Sequence, residues 1–188
     1  PEFSLDSRDN VFSLCAADPA LTHLVWKDAN DLSADIRLRS DGKKLLVKID
    51  VTDDVHRQDE SGFTVWKGDN IQMGIQVPGQ KAHWEIGLTM LKNGKPEVFV
   101  WSAPGKVDKT QVAKAISLQV SRKGNKTLYN AAIPLAALGM NKATLKSGIR
   151  FNLLVNDNDA GIREGWVFLA PGIGEAKDPK KYPFLIFE

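Results

Sequence analysis

The chain has 188 residues, of which 43% are hydrophobic, a size that suits one all-β domain with its own core. Its 25 basic and 23 acidic residues give a net charge of +2, and no long run of like charge occurs. This balance argues against nucleic-acid and membrane partners. The only cysteine, Cys15, lies in an apolar stretch, so we expect no internal disulfide and a thiol that packs as a small hydrophobic group.

Neither a membrane span nor a signal peptide is visible in the sequence. We interpret residues 1–188 as a single domain cut from a larger protein. Pro1 to Phe3 fit either native sequence or a remnant of cloning.

Six segments alternate apolar and polar residues with a period of two, which is typical of strands that bury one face. Their apolar members, in chain order, are Ala34, Ile36 and Leu38; Leu45, Val47, Ile49 and Val51; Ile71, Met73, Ile75 and Val77; Trp84, Ile86, Leu88 and Met90; Ile116, Leu118 and Val120; Ile149, Phe151, Leu153 and Val155.

Turn residues separate several of these segments. Ser40–Lys43, Lys92–Lys95 and Lys123–Lys126 each combine Gly with Asp or Asn, as tight hairpins do. Only Pro134–Gly139 begins with a proline and stops with a glycine in the manner of a helix, and it spans barely one turn. The pattern therefore predicts an all-β, antiparallel β-sandwich of the jelly-roll or immunoglobulin-like kind, with at most one or two short helical turns.

Five segments then occur in a distinctive order. They are Lys44–His56, Trp66–Met73, Tyr129–Gly139, Phe151–Asp159 followed by Arg163–Trp166, and Lys177–Pro179 before a closing strand at Phe184–Phe187. This order resembles the family 9 carbohydrate-binding modules and their wider DOMON-like relatives, across residues 30–188. The resemblance implies a β-sandwich that binds sugar, often between two aromatic rings, and that commonly holds structural calcium.

The resemblance places one of those rings at Trp66. The second ring of sugar-binding members falls immediately before the Lys-Asp-Pro turn, where this chain has Ala176. Half of the expected clamp is therefore missing, which implies that another residue supplies the second face, that the ligand differs, or that sugar binding has been lost.

A sugar ring offers C–H bonds to an aromatic face and hydroxyls to polar side chains. The candidate ligand-binding residues are Trp66, Gln72, Glu85, Trp101, Asn156 and Trp166. Gln72 and Glu85 match positions where family members place hydroxyl-binding side chains, and Trp101 is a candidate for the missing ring. The alternatives are packing roles for the tryptophans and a solvated sheet face for the polar residues. Trp84 is expected in the core, and nothing raises Trp26 above a packing role.

Acidic residues in one loop indicate calcium rather than catalysis. Asp157 and Asp159 lie at alternate positions and offer oxygen ligands to a hard cation, although the EF-hand spacing is absent. Asp53 and Asp54 are a second possibility. The alternative is a loop that is solvated or capped by hydrogen bonds.

No nucleophile elbow, Walker loop or zinc-protease motif occurs, so no catalytic residue is predicted. The expected function is a non-catalytic module that binds a glycan and tethers covalently linked catalytic or surface domains, for example as a glycoside hydrolase accessory domain. From the resemblance, its location is secreted, periplasmic or at the cell surface.

Two alternatives to that function stay open. The first is a structural spacer whose sugar site is degenerate. The second is a haem-binding DOMON-like domain using Met73, Met90 or His83, although the last two point to opposite faces of one strand.

Overall fold

The computed structural model describes residues 1–188 and contains two antiparallel sheets. The first has five strands, in the order β1 (Glu2–Leu5), β3 (Leu32–Ser40), β4 (Lys44–Asp53), β9 (Lys126–Pro134) and β8 (Ser117–Lys123). The second has seven, in the order β2 (Val11–Ser13), β11 (Gly165–Phe168), β10 (Ile149–Asp157), β5 (Ile71–Gln76), β6 (Trp84–Met90) and β7 (Pro96–Ser102), with β12 (Phe184–Leu185) also paired to β10. The all-β sandwich expected from the sequence is confirmed.

The core lies between the two sheets and is formed by the apolar members of the alternating segments. A contiguous cluster of 31 buried residues fills it, including Ile49 from β4, Met73 from β5 and Phe151 from β10. Trp84 is part of this cluster, as expected, and its indole Nε1 donates to the carbonyl of Leu138 at 3.2 Å. Burial of this much apolar surface is the main favourable term in folding.

The three turns lie where the sequence predicts hairpins, joining β3 to β4, β6 to β7 and β8 to β9. Leu135–Leu138 forms a 3-10 turn, again as expected. Two short α-helices were not anticipated: α1 (Lys109–Ala115), capped by Asp108, and α2 (Lys142–Ser147), capped by Asn141. Neither has the length or apolar character needed to cross a bilayer. Cys15 is a buried free thiol.

The outer face of the seven-stranded sheet is not open to solvent, because residues 169–183, here called the covering segment, fold back over it. The ring of Tyr182 lies so close to Gly74 that a Cβ there would sit 2.4 Å from Tyr182 Cε2. Tyr182 joins Leu154, Trp166 and Ile173 in a second small apolar cluster. Trp101 over Gly87 and Gln58 bonded to Thr89 complete this cover on β6. Every residue of β5, β6 and β10 except Arg150 is therefore buried, on both faces.

Candidate functional site

Polar side chains from β5, β6 and β10 meet on the outer face of the seven-stranded sheet. Gln72 Oε1 accepts from Asn156 Nδ2 at 3.2 Å and from Arg163 Nη2 at 3.4 Å, while Gln72 Nε2 donates to Glu85 Oε1 at 3.3 Å. Lys177 Nζ, from the covering segment, donates to the same carboxylate oxygen of Glu85. Three of the predicted ligand residues thus form one network, here called the polar network.

The polar network is shielded from solvent. Gln72 and Glu85 are only 4% and 5% exposed, whereas the Lys177 side chain above Glu85 is 45% exposed. Buried polar groups need hydrogen-bond partners, and Lys177 and Arg163 supply them here. A ligand that reaches Gln72 or Glu85 must therefore displace or share these two cationic side chains.

Arg163 connects the polar network to two of the predicted tryptophans. Its guanidinium carbon lies 4.1 Å from the ring centroid of Trp166 and 5.7 Å from that of Trp66, within cation–π range. Its Nε donates to Asn156 Oδ1 at 2.7 Å. Burial lowers the pKa of Arg163 to about 10, because desolvation penalises the charged form.

Trp66 and Trp166 differ in accessibility. Trp66 is half-buried near the end of the 3-10 helix Gly62–Lys67, so part of its ring is available to a ligand. Trp166 is buried, with Phe12 stacked on it at 4.5 Å and Gly174 against its edge. Trp166 therefore serves as a buried packing surface for the Arg163 guanidinium. Trp66 is the more accessible of the two tryptophans.

Trp101 lies on the same face, over β6. A Cβ at Gly87 would sit 2.4 Å from Trp101 Cη2, so the glycine is what lets the indole rest on the strand. Gly87 is the register partner of Gln72, which places the Trp101 ring next to the polar network. Trp101 Nε1 donates to the carbonyl of Phe63 at 2.9 Å, and Phe99 lies 5.4 Å away. These half-buried or exposed rings form a rim beside the network.

Sequence reasoning missed two members of this site, Arg163 and Lys177. Both lie in motifs that carry the family resemblance, yet their residue type alone suggests ordinary solvated cations. Ala176, where a second ring was expected, is exposed on the loop next to Lys177. The structure therefore has a cationic side chain beside the position of the missing ring.

Acidic residues cluster beside the site, as the sequence suggested. Ligand oxygens of Asp157, Asp159 and Glu164 lie within 4.8 Å of one another, and so do those of Asp31, Asp54 and Asp159. Burial and the neighbouring carboxylates raise the pKa of Asp157 to about 9 and that of Asp159 to about 7. Asp159 Oδ1 is buried without a hydrogen-bond partner. A cation shared by these oxygens would relieve their repulsion.

Asp53 and Asp54, considered together as a second calcium possibility, point to different surroundings. Asp53 Oδ2 lies 3.8 Å from His56 Nδ1 and 3.6 Å from Arg122 Nη1, in a group completed by Asp69. Asp54 instead joins the cluster that contains Asp159. The two neighbours in sequence thus do not act as a pair.

The residues considered for haem are dispersed. Met73 lies in the core between the sheets, while His83 packs edge-on against Tyr182 on the outer face, with ring centroids 6.1 Å apart. Met90 lies at the far end of β6 from His83. The structure does not bring these three side chains to one position.

A groove with a volume of about 690 Å³ lies elsewhere, on the outer face of the five-stranded sheet. Its lining residues are Arg37, Arg39, Leu46, Val47, Lys48, Ser117, Gln119, Asn130, Ala131 and Ala132. None is aromatic, and Arg37 is paired with Glu2 and Asp50. Since a sugar platform needs an aromatic face, the polar network beside Trp66 is the better candidate site.

Comparison with known protein families gives one match. The family model described as carbohydrate family 9 binding domain-like matches residues 8–186. A search of curated proteins finds none whose sequence matches this chain.

Solved structures share the fold. A family 9 carbohydrate-binding module from Caldicellulosiruptor kristjanssonii in complex with cellotriose is 15% identical, with a TM-score of 0.63 over 84% of this chain and 75% of that one. One in complex with glucose, from the same organism, is also 15% identical, with a TM-score of 0.63 over 94% and 91%. A Bacteroides uniformis ATCC 8492 structure described as that of a candidate carbohydrate-binding protein is 14% identical, with a TM-score of 0.67 over 100% and 86%.

Proposed function

The chain belongs to the family 9 carbohydrate-binding modules, and on that premise we propose that it binds a glycan at Trp66 and the polar network without transforming it. The observation that carries this proposal is the convergence of Gln72, Glu85 and Asn156 beside a half-buried indole. An aromatic face can pack on the C–H side of a sugar ring, while amide and carboxylate groups bind its hydroxyls. Related structures hold cellotriose and glucose.

Such a module would act by tethering the domains attached to it. Binding by one site raises the local concentration of any attached catalytic or surface domain at the glycan, and avidity can exceed the affinity of the single site. We place this role in a secreted, periplasmic or cell-surface protein.

Titration calorimetry against a panel of neutral and acidic oligosaccharides tests the proposal. Trp66→Ala removes the ring platform and is expected to weaken binding by about 2 kcal/mol, or roughly thirtyfold, as for a central aromatic contact. Asn130→Ala, in the groove of the five-stranded sheet, is the matched control and should bind as the wild type does. Loss of binding in the Asn130 variant with full binding in the Trp66 variant would contradict the proposed site.

A spacer role is the second candidate, and Ala176 is the observation that favours it. An exposed alanine provides no second ring, and the polar network is internally paired without a ligand. If no glycan in the panel binds while the wild-type protein is folded, this second function replaces the first.

We also propose that calcium binds the acidic cluster and stabilises the loops that hold it. Carboxylates are the ligands that calcium prefers, and the unpartnered buried Oδ1 of Asp159 fits a coordinating atom. Asp157, Asp159 and Glu164 would hold the ion, with Asp31 and Asp54 on the other side of Asp159. The ion would supply a fixed positive charge that neutralises the cluster.

Metal removal tests the calcium proposal. A ligand present at a hundred times its Kd adds about 2.7 kcal/mol, so chelation by EDTA should lower the Tm by about 5–10 °C, and added calcium should restore it. Asp159→Asn should lose most of this response, whereas Asp6→Asn, an exposed acid outside the cluster, should retain it. A wild-type Tm indifferent to EDTA and calcium contradicts the proposal.

A further inference from the structure

We propose that the site selects acidic glycans, binding the carboxylate of a uronic acid residue through Arg163 and Lys177. This inference rests on the proposed function, since it names the substrate class of the same site. It goes beyond the neutral sugars held by the related structures.

The charge on Arg163 has no acidic partner. None of the ion pairs within 4.0 Å in the structure involves this residue. Its hydrogen bonds go to the neutral amide oxygens of Asn156 and Gln72. Arg163 is partly shielded from water, and a cation in such surroundings is ordinarily paired with an anion, because an unpaired charge away from water is unfavourable. A ligand carboxylate would provide the missing partner.

The guanidinium is also held in place before any ligand arrives. Stacking on Trp166 at 4.1 Å and the 2.7 Å bond from Nε to Asn156 fix its plane. Neither of its terminal nitrogens contacts a carboxylate, and Nη2 has only a 3.4 Å contact to Gln72. A rigid guanidinium with donor capacity to spare suits a planar carboxylate, which it can bind with two parallel hydrogen bonds.

Lys177 adds a second positive charge at the same place. Within the polar network, counted apart from the neighbouring acidic cluster, Arg163 and Lys177 carry two positive charges against the one negative charge of Glu85, to which Lys177 donates. Gln72 contacts both Arg163 and Glu85, which keeps the three charged groups within one network. One added carboxylate would give Arg163 the anionic partner that the polar network lacks, whereas a neutral sugar would not.

The position of Ala176 agrees with this preference. The resemblance predicts an aromatic ring there, and the chain instead has a small exposed residue directly before Lys177. A second ring would cover the neutral face of a sugar, and without it the half-exposed Lys177 side chain is open to an anionic group of a ligand.

Paired ligands test the inference on the wild-type protein. Affinity for an oligogalacturonate or glucuronate-containing oligosaccharide is compared, by titration calorimetry at low salt, with that for the same oligosaccharide after reduction of its carboxylates to alcohols. We expect a preference of about tenfold or more for the acidic form, as for one charge-assisted hydrogen bond, and a decline of this preference as salt is added. Equal affinity for both forms overturns the inference and leaves the proposed function standing, while binding of neither form overturns both.

Variants then assign the preference to its residues. Arg163→Gln should bring the acidic-to-neutral ratio towards one, and Arg163→Lys, which keeps the charge, should retain part of it. Lys92→Gln changes the net charge equally at an exposed position paired with Asp59, so its ratio should match that of the wild type. A ratio that survives Arg163→Gln in a folded protein, or that falls equally in Lys92→Gln, overturns the assignment to Arg163.

Discussion

Replacing Gly74 with alanine tests whether the covering segment is pressed onto the seven-stranded sheet. The new Cβ would lie 2.4 to 2.6 Å from Cε2, Cζ and Oη of Tyr182, well inside the usual separation of about 3.5–4.0 Å between carbon atoms. The ring must therefore move by about 1 Å, away from its contacts with Leu154 and Ile173.

The expected cost follows from two opposing effects. Overpacking of a buried site costs about 1–3 kcal/mol, and the lower chain entropy of alanine in the unfolded state returns about 0.4–1 kcal/mol. Gly74 does not have a positive φ, so alanine adds no backbone strain. We expect a net loss of about 1–2 kcal/mol in the free energy of unfolding and a fall in Tm of about 2–8 °C.

A double-mutant cycle isolates the contact. In a Tyr182→Ala background the clash is absent, so Gly74→Ala should be neutral or slightly stabilising, giving a coupling of about 2 kcal/mol between the two positions. Urea unfolding followed by circular dichroism measures all four proteins. An equal loss in both backgrounds would refute the packing of Tyr182 on Gly74. If Tyr182→Ala does not fold, Tyr182→Leu serves the same purpose.

Two further substitutions probe the hydrogen bonds that hold the fold around the site. The buried Asn152 Nδ2 donates to the carbonyls of Ala170 and Pro171 at 2.7 and 3.0 Å. Asn152→Ala should lower the free energy of unfolding in urea by about 3 kcal/mol, because those carbonyls lose their partners. A loss under 1 kcal/mol contradicts this role. Asp108 Oδ1 caps α1 by accepting from the backbone N–H of Thr110 at 2.9 Å. Asp108→Ala should therefore lower the free energy of unfolding by about 1 kcal/mol, while Asp108→Asn should be nearly neutral. Equal losses in the two variants would show that the charge of Asp108, and not its capping hydrogen bond, stabilises the helix.

The strands were predictable because each pattern needs only local information. A period of two places Leu45, Val47 and Ile49 on one face whatever the rest of the chain does, and Asp-Gly or Asn-Gly turns fix the hairpins between neighbours. Helices α1 and α2 were missed because seven and six residues are too few to display a 3.6-residue period.

Burial of the outer face was not predictable from the alternation. Gln72 and Glu85 have the sequence signature of a solvated face, and they are buried because Lys177 of the covering segment and Arg163 lie over them. That segment has no periodicity of its own, so its path depends on distant contacts such as Tyr182 on Gly74. Non-local packing of this kind, and not strand propensity, decides whether the outer face of a strand is exposed.

The polar residues of the candidate site were predictable from the sequence, but its two cationic residues were not. Gln72, Glu85 and Asn156 follow from strand register and family resemblance, and the structure brings them together. The roles of Arg163 and Lys177 depend on where two loops place flexible side chains, which residue type and spacing do not specify. The split between Asp53 and Asp54 has the same origin, since adjacent residues at a strand end face opposite sides.

Nuclear magnetic resonance mapping of a bound oligosaccharide tests the central claim most directly. The chain has five indole groups, and their Nε1–H signals report separately on the outer face of the seven-stranded sheet and on the core. On titration we predict shifts for Trp66, with smaller changes for Trp101 and for the side-chain amides of Gln72 and Asn156. Shifts confined to Asn130 and Gln119, in the groove of the five-stranded sheet, would contradict the account.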